Sequence, residues 1–132
     1  MQYAVPRRGV PGAAALRAWA GSAAAFPLTL RIVGAGEGRR LNRAFGKRDY
    51  ATNVLSFPYG RAGDIVLCHP LIVREARAQG KSLRAHYAHL VVHGVLHLRG
   101  HVHHDKTSAR RMEAREIRLL RRFGFADPYT VK

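Results

Sequence analysis

The sequence predicts an α+β fold, and three observations lead to that prediction. Segments with helical and strand periodicity mix along the chain without the strict alternation of a parallel α/β fold. Residues 83–98 are apolar almost all round, which is typical of a buried helix. With 132 residues, of which 47% are hydrophobic, the chain can bury a real core, so we predict a single domain over residues 1–132.

Four strands are predicted, at residues 2–5, 28–33, 52–57 and 64–68. The second of them alternates apolar and polar side chains, as a half-buried strand does, and Pro58 ends the third. Residues 34–38 are predicted as a loop and residues 59–63 as a turn. Asp64 follows Gly63, and we interpret it as a turn residue rather than a ligand.

Five helices are predicted, at residues 13–25, 39–45, 71–79, 83–98 and 106–122. Trp19 lies on the apolar face of the first, where we expect it to join the core. This Ala-rich segment faintly resembles a secretory signal, but Arg17 interrupts it, so we predict an amphipathic helix. Gly80 ends the third helix, and Ser82 and Asp105 cap the fourth and fifth. No apolar run is long enough to span a membrane.

A histidine motif occupies residues 93–103, with the sequence HGVLHLRGHVH. His93 and His97 are four residues apart, which places both imidazoles on one helix face, one turn apart. Gly100 then lets the helix end and the chain turn back, so that His103 can close the third corner of a tetrahedron. Three imidazoles leave a fourth position for water, the arrangement of a catalytic zinc site. We therefore predict one Zn²⁺ per chain, about 2.0–2.1 Å from each ligand nitrogen.

Gly94 separates this motif from that of the zinc proteases. The long metzincin pattern has the same spacing but places Glu after the first His, where it acts as the general base. Because Gly94 can neither take nor give a proton, a protease is disfavoured and another metal-assisted hydrolase is favoured. Val102 cannot accept a proton either, so the motif supplies no general base.

The remaining nearby histidines are predicted to stay outside the ligand set. His86 and His89 precede the motif on roughly the same side of the helix, as donors to the ligands or as solvent-side residues, and we favour the solvent-side interpretation. His101 and His104 are not expected to bind the ion, because their side chains leave the turn in other directions.

Matching segments on both sides extend the motif to a family resemblance. These segments are Leu41-Asn42, residues 49–58 (DYATNVLSFP), Gly63-Asp64-Ile65, Met112, Glu113, Glu116 and Pro128-Tyr129. Together with the histidine motif, they resemble the bacterial YbeY family of metal-dependent endoribonucleases in ribosomal RNA maturation. That family's motif reads His-Gly-x-Leu-His-Leu-x-Gly-Tyr-Asp-His, and the resemblance covers residues 28–129.

This resemblance implies both a fold and a function. The fold is a small mixed sheet packed with several helices around the buried, metal-bearing helix. The function is zinc-dependent, single-strand-specific endoribonuclease action in maturation of the 3′ end of small-subunit (16S) rRNA, and in ribosome quality control. The implied partners are ribosomal RNA and the ribosome or its small subunit.

Two positions depart from the family pattern. The Tyr-Asp before the third His is His101-Val102 here, so a nearby carboxylate is missing. The family also tends to carry Arg where this chain has Gly46, after the aromatic residue of the Leu-Asn block. Lys47 and Arg48 follow directly in a basic loop, and they are our candidate phosphate-binding residues.

Charge and cysteine content agree with this expectation. The formal net charge is +15, and most of the basic residues are Arg, whose planar fork suits phosphate. So large an excess predicts a polyanionic partner, most simply nucleic acid. An Arg-rich genome would explain Arg in place of Lys, but not the presence of only eight acidic residues. Cys68, the single cysteine, cannot form an internal disulfide, so we expect a reduced, cytoplasmic location.

Two alternative functions remain open at this stage. One is a non-catalytic ribosome-assembly protein whose metal is structural, and the other is a zinc hydrolase acting on another substrate class, such as a peptide or small amide. The sequence determines neither the native metal nor the oligomeric state, because three imidazoles suit several metals.

The last predicted helix carries arginines on one side and an apolar face on the other, with Phe123 expected on the apolar side. The arginine side is either a solvated face or an RNA-contact surface. Glu116 falls inside the apolar face, where an ionised carboxylate is costly unless it is hydrogen-bonded. We therefore predict that Glu116 accepts a hydrogen bond from a ligand imidazole or from the turn at Gly100, with an ion pair to Arg99 as the alternative.

Overall fold

The computed structural model describes residues 1–24, 26–46, 52–59, 62–99 and 106–129, and it has the predicted α+β fold. Its strands are β1 (Gln2–Tyr3), β2 (Leu28–Val33), β3 (Val54–Tyr59) and β4 (Ala62–Cys68). Its helices are α1 (Ala13–Ala23), α2 (Ala35–Leu41), α3 (His69–Gln79), α4 (Leu83–Leu98) and α5 (Lys106–Arg122), and a π-helical turn at Asn42–Gly46 follows α2. Apart from α2, these elements begin and end within two residues of their predicted positions.

The four strands form one mixed sheet in the order β1-β2-β4-β3. Strands β1 and β4 both run parallel to β2, whereas β3 runs antiparallel to β4 and lies at the edge. This arrangement confirms the small mixed sheet that the family resemblance implies.

Strand β3 continues through Pro58, where the sequence predicted its end. Pro58 pairs with Gly63, so most of the predicted turn at 59–63 belongs to the two strands. An edge strand tolerates proline because one row of its backbone groups has no neighbour to bond. The prediction that Asp64 is a turn residue is also wrong, because Asp64 lies inside β4, opposite Phe57.

Helix α2 begins four residues before the helix predicted at 39–45, so most of the segment 34–38, predicted as a loop, is helical. The first residues of the predicted helix end α2, and the rest form the π-helical turn at Asn42–Gly46.

Gly34 precedes α2 in an extended conformation, and Gly36 and Gly38, which have low helix propensity, lie inside it. Glu37 in its first turn forms an ion pair with Arg31 of β2, with Nε–Oε2 and Nη2–Oε1 distances of 2.6 and 2.9 Å. A carboxylate is favourable at a helix N-terminus, and this contact with the neighbouring strand fixes the helix where local propensity alone would not.

Helix α4 lies at the centre of the fold, as its apolar sequence predicts. It packs on β3 and β4 of the sheet and contacts α1, α3 and α5. Tyr87, Val91 and Val95 are fully buried there, and Trp19 of α1 is 2% exposed, which confirms its predicted place in the core. Since most sides of α4 are covered, its side chains are held by several neighbouring elements at once.

Both ends of the α3–α4 connection form as predicted. Gly80 adopts a left-handed conformation with φ of 64°, which a glycine reaches without steric cost, and it ends α3. Ser82 caps α4, because its Oγ accepts a hydrogen bond of 3.1 Å from the backbone N–H of Ala85.

Helix α5 covers α4 with an apolar face that includes Met112, Leu119 and Leu120, all of them buried. Phe123 was expected on this face but is 38% exposed, because α5 ends one residue before it. None of the helices in the described part of the chain combines the length and apolar character needed to cross a membrane.

Candidate metal centre

Four histidines lie along α4, at spacings of three or four residues. The ring centroids of His86 and His89 are 6.3 Å apart, those of His89 and His93 are 6.1 Å apart, and those of His93 and His97 are 4.7 Å apart. His86 is buried, whereas His89, His93 and His97 are partly exposed. Exposure of these histidines is therefore greater toward the C-terminal end of the helix.

The structure brings together two of the three predicted metal ligands. His93 and His97 lie side by side on the more open half of α4, as their spacing predicts. His103 lies outside the described residues, as do Gly100, His101 and His104. The third ligand and the two excluded histidines therefore stay predictions.

Glu116 of α5 holds His93 in place. Its side chain is 0% exposed, and its Oε1 accepts a hydrogen bond from Nδ1 of His93 over 2.5 Å. An ionised carboxylate can only accept hydrogen bonds, so the proton is on Nδ1 of His93. This contact confirms the prediction that a histidine of the metal motif hydrogen-bonds Glu116. The alternative ion pair with Arg99 is wrong, because Arg99 instead donates to the carbonyl oxygen of Ala23 over 3.0 Å.

Two further donors converge on the second oxygen of Glu116. Nε2 of His89 lies 3.1 Å from Oε2, and the hydroxyl of Tyr129 donates to the same oxygen. Nε2 of His89 also lies 3.2 Å from the Tyr129 hydroxyl oxygen. Every oxygen of this buried carboxylate therefore has a donor, which compensates for its removal from water.

These contacts determine the charge state of the network. Burial alone would raise the pKa of the Glu116 carboxyl, but hydrogen bonds from His89, His93 and Tyr129 outweigh burial and lower it to about 2. Burial, reinforced by the adjacent Glu116 carboxylate, raises the pKa of Tyr129. At neutral pH, Glu116 is therefore an anion and Tyr129 a neutral donor.

The hydrogen bond to Glu116 prepares His93 to bind a metal. Because Nδ1 of His93 contacts Glu116, Nε2, on the opposite side of the ring, is the nitrogen that can face a metal. A metal-binding histidine usually donates its other N–H to a carboxylate or carbonyl in this manner. The chemistry of His93, with His97 beside it, therefore fits a divalent transition metal that takes imidazole ligands.

A second possible ligand set consists of His89, His93 and Glu116, whose ligand atoms all lie within 4.8 Å of one another. In a tetrahedral site with bonds of about 2.0–2.1 Å, two ligand atoms lie about 3.3 Å apart. The 2.5 Å separation of His93 Nδ1 and Glu116 Oε1 is shorter, and it is that of a hydrogen bond. The geometry therefore favours Glu116 as a hydrogen-bonding partner of a ligand over Glu116 as a ligand.

Position 94 faces the sheet. A Cβ atom at Gly94 would lie 3.2 Å from Oγ of Ser56, 3.3 Å from Cγ2 of Val54 and 3.4 Å from Cδ1 of Ile65. The Ser56 hydroxyl also donates to the carbonyl oxygen of Gly94 over 3.1 Å. Because α4 approaches the sheet closely, a Cβ atom here would crowd these neighbours, and a glutamate side chain would point toward the core rather than toward the His93–Glu116 contact.

The solvent-side interpretation of His86 and His89 is wrong. Nε2 of His86 donates to Oε1 of Glu75 over 2.9 Å, and Nδ2 of Asn53 donates to both Glu75 oxygens, over 3.0 and 3.2 Å. His89 belongs to the Glu116 network. One signal in the sequence could have identified both residues: they lie one and two helical turns before His93, on the same face of the helix.

The candidate phosphate-binding residues Lys47 and Arg48 lie outside the described residues. In the sequence, Tyr129 stands out only as part of the matching tail, and no local pattern indicates its contact with Glu116. It lies 13 positions after Glu116, a separation at which no helical or strand pattern predicts contact.

Comparison with known proteins identifies the family. The endoribonuclease YbeY family model matches residues 14–124. An endoribonuclease YbeY of Stenotrophomonas maltophilia is 46% identical over 146 residues, covering 98% of this chain and 91% of the relative. One of Nitrosomonas eutropha is 46% identical over 138 residues, covering 100% of this chain and 98% of the relative. Another, of Cupriavidus metallidurans, is 52% identical over 131 residues, which are 93% of this chain and 66% of that longer relative.

A solved structure supports the fold. The solution structure of the Thermotoga maritima protein TM1509 has a TM-score of 0.51 and 21% identity, and the match covers 89% of this chain and 87% of that one. The family model spans most of the chain, and relatives covered over 91% and 98% of their length are 46% identical to it, so the chain belongs to the endoribonuclease YbeY family.

Proposed function

We propose that this chain is a zinc-dependent endoribonuclease, with a single domain over residues 1–132. We infer that it cleaves single-stranded RNA in maturation of the 3′ end of small-subunit (16S) rRNA and acts in ribosome quality control, in the cytoplasm. Membership of the endoribonuclease YbeY family supports this function. The observation that carries it is the His93–Glu116 hydrogen bond beside His97, which fixes His93 in the tautomer that binds metal.

The proposed ligands are His93, His97 and His103, and each has a defined task. His93 presents Nε2 because Glu116 holds Nδ1, and His97 lies one helical turn further along the same face. His103 would complete the set from the segment after α4. When bound, a divalent ion supplies Lewis acidity toward a phosphate oxygen and acidifies water.

Binding of the RNA backbone would fall to basic side chains. We propose that Lys47 and Arg48 hold the phosphate next to the cleaved bond and offset its charge in the transition state. The net charge of +15 supports a polyanionic substrate, and ribosomal RNA in the small subunit is the proposed partner. The position of Gly94 against the sheet, away from the His93–Glu116 contact, agrees with a function other than proteolysis.

Metal analysis combined with RNA cleavage tests this proposal. The purified protein should contain about one zinc ion per chain and cleave unstructured RNA in preference to structured RNA, and a chelator should abolish cleavage. His97→Ala should lose both the metal and the activity. His104→Ala, which removes an imidazole outside the proposed ligand set, should keep both.

Three results would contradict the proposal. Metal bound without RNA cleavage would favour a ribosome-assembly protein with a structural metal. Peptide hydrolysis that His93→Ala abolishes would favour a different zinc hydrolase. Full metal content in His97→Ala would show that the ligand assignment is wrong.

A further inference from the structure

The outer side of α5 carries a row of arginines at helical spacing. The row consists of Arg111, Arg115, Arg118 and Arg122, which are separated by three or four residues and therefore share one side of the helix. Arg111, Arg118 and Arg122 are exposed, and Arg115 is partly exposed. At a rise of about 1.5 Å per residue, the row extends for about 16 Å along the helix.

Among the described residues, no acidic side chain neutralises this row. Of the two glutamates of α5, Glu116 is buried in the His93 network and Glu113 lies on the side of the helix opposite to the row. Within the described part of the chain, none of the four arginines takes part in an ion pair. Four guanidinium groups along one helix face repel one another, which destabilises the helix. Binding of an anion reduces this repulsion.

The position of α5 relates the row to the metal centre. Glu116 contacts His89 and His93 in the middle of α4, whereas Leu120 and Gly124 line the same cavity as residues at the N-terminal end of α4. The two helices therefore run antiparallel, and Arg111 lies at the end of α5 nearer to His97. Stepping about 100° per residue, the row lies about 115° around α5 from its buried side chains, so it is on the flank of the helix, and Arg115 is its most buried member. The width of one helix, on the order of 10 Å, therefore separates the exposed guanidinium groups from the Glu116–His93 contact.

We propose that the arginine row binds the phosphate backbone of RNA at a distance from the cleaved bond. A strand that enters the metal centre would continue across the N-terminal part of α5 and along its outer side. The row would add affinity without reading the sequence, because phosphate contacts carry no base information. This inference rests on the proposed RNA substrate, and it selects the RNA-contact surface from the two interpretations that the sequence left open.

Other partners fit this surface less well. A helix that lies on a membrane inserts an apolar face, but the apolar face of α5 is buried against α4. A protein–protein interface is built around a buried apolar or aromatic core, whereas the exposed residues of α5 beside the row are Thr107, Ala114 and two further arginines, Arg110 and Arg121. A chain of phosphates is the partner whose charge and repeat match it.

A matched pair of triple variants tests the proposal. The row variant carries Arg111→Gln, Arg118→Gln and Arg122→Gln, and the control carries Arg17→Gln, Arg74→Gln and Arg77→Gln. All six arginines are exposed on helices, and both variants lose three positive charges. Glutamine keeps helix propensity close to that of arginine, so both variants should fold, which thermal unfolding would verify.

Binding of a single-stranded RNA oligonucleotide is measured with chelator present, so that cleavage does not interfere, over a range of salt concentrations. Each lost phosphate contact reduces the slope of log Kd against log salt by about 0.7 for single strands, so the row variant should lose about 2 units. The slope of the control should decrease by less than about 0.7, the change expected from one lost phosphate contact.

In the metal-loaded enzyme, the row variant should raise KM with little change in kcat, because the contact is equally strong before and during the reaction. Very short oligonucleotides, which cannot reach from the metal centre to the row, should be cleaved equally by both variants.

The outcomes separate this inference from the proposed function. If the wild-type enzyme cleaves RNA and both variants lose the same affinity, the row is only a solvated face and the inference is wrong. If the wild type does not cleave RNA but the row variant still loses RNA affinity, the row is confirmed and the proposed function fails. Row-dependent binding to anionic lipid vesicles, with RNA binding unchanged, would also overturn the inference.

Discussion

His86 and His93 of α4 each contact a glutamate of a neighbouring helix, and these two pairs have the same groups in opposite surroundings. In His86–Glu75 the imidazole is buried, with 4% of its side chain exposed, and the carboxylate is 33% exposed. In His93–Glu116 the carboxylate is 0% exposed and the imidazole is 24% exposed. The buried member of each pair is fixed, and the other member faces outward. Only the His93–Glu116 pair therefore presents an imidazole that can bind a metal ion. The His86–Glu75 pair instead anchors α4 to α3.

This difference also explains why Glu116 has more partners than Glu75. A fully buried carboxylate must find every hydrogen bond inside the protein, and Glu116 finds them in His89, His93 and Tyr129. Glu75 has Asn53 and His86, and water can reach it. Matched substitutions in the two pairs should therefore have different effects on metal binding.

The largest difference is expected between Glu116→Gln and Glu75→Gln. Both oxygens of Glu116 accept hydrogen bonds, and glutamine replaces one acceptor with a donor, so a buried donor loses its partner. Zinc affinity should fall about 10–100-fold, and the free energy of unfolding should fall by about 1–3 kcal/mol. Glu75→Gln should leave zinc affinity unchanged.

Competition with a calibrated zinc chelator and denaturant unfolding would measure these two effects. Equal zinc affinities in the two variants would remove the distinction between the pairs. An unchanged affinity and stability in Glu116→Gln would show that the carboxylate does not support His93.

A smaller effect is expected from the hydroxyl that donates to Glu116. Tyr129→Phe removes one of three hydrogen bonds to the carboxylate, worth about 0.5–1.5 kcal/mol, so zinc affinity should fall by about 2–10-fold. Tyr87→Phe is the matched control, because its hydroxyl lies 2.6 Å from Nδ1 of His69, away from the His93 pair. The control should lose stability and keep its zinc affinity. A decrease in zinc affinity of equal size in the control would indicate a general loss of packing.

The smallest effect concerns the buried imidazole of the other pair. Burial lowers the pKa of His86; the hydrogen bond and charge of Glu75 act in the opposite direction, and the charges of Lys81 and His89 lower it further. The unfolded chain therefore binds a proton at this residue more readily than the folded protein does. As a result, the free energy of unfolding should decrease as pH falls below about 6.5, the ordinary value for histidine.

This dependence can be measured as the free energy of unfolding of the metal-free protein from about pH 8 to about pH 5, a range that brackets the ordinary pKa of histidine. His86→Gln should have a shallower decrease, because it lacks the group that titrates. The same pH dependence in both proteins would assign the decrease to other residues.

Much of the site was predictable from the sequence because it depends on local spacing. Two histidines four apart on a helix must lie on one face, and a glutamate among apolar residues must find a partner inside the protein. For that reason the His93–His97 pair and the burial of Glu116 could both be predicted. Solvent exposure of His86 was predicted wrongly, because its burial depends on Glu75 of α3, which no local pattern relates to it.

The fold divides in the same way. The sequence by itself determined the α+β class, the buried helix α4, the caps at Gly80 and Ser82 and most strand positions, because periodicity and capping are properties of neighbouring residues. Tertiary contact decided that α2 begins at Ala35 rather than at residue 39, which the Glu37–Arg31 ion pair supports. The same is true of the passage of β3 through Pro58, which an edge strand permits. It also decided that Tyr129 completes the Glu116 network, because a buried carboxylate takes its donors from whichever segments the fold brings within hydrogen-bonding distance.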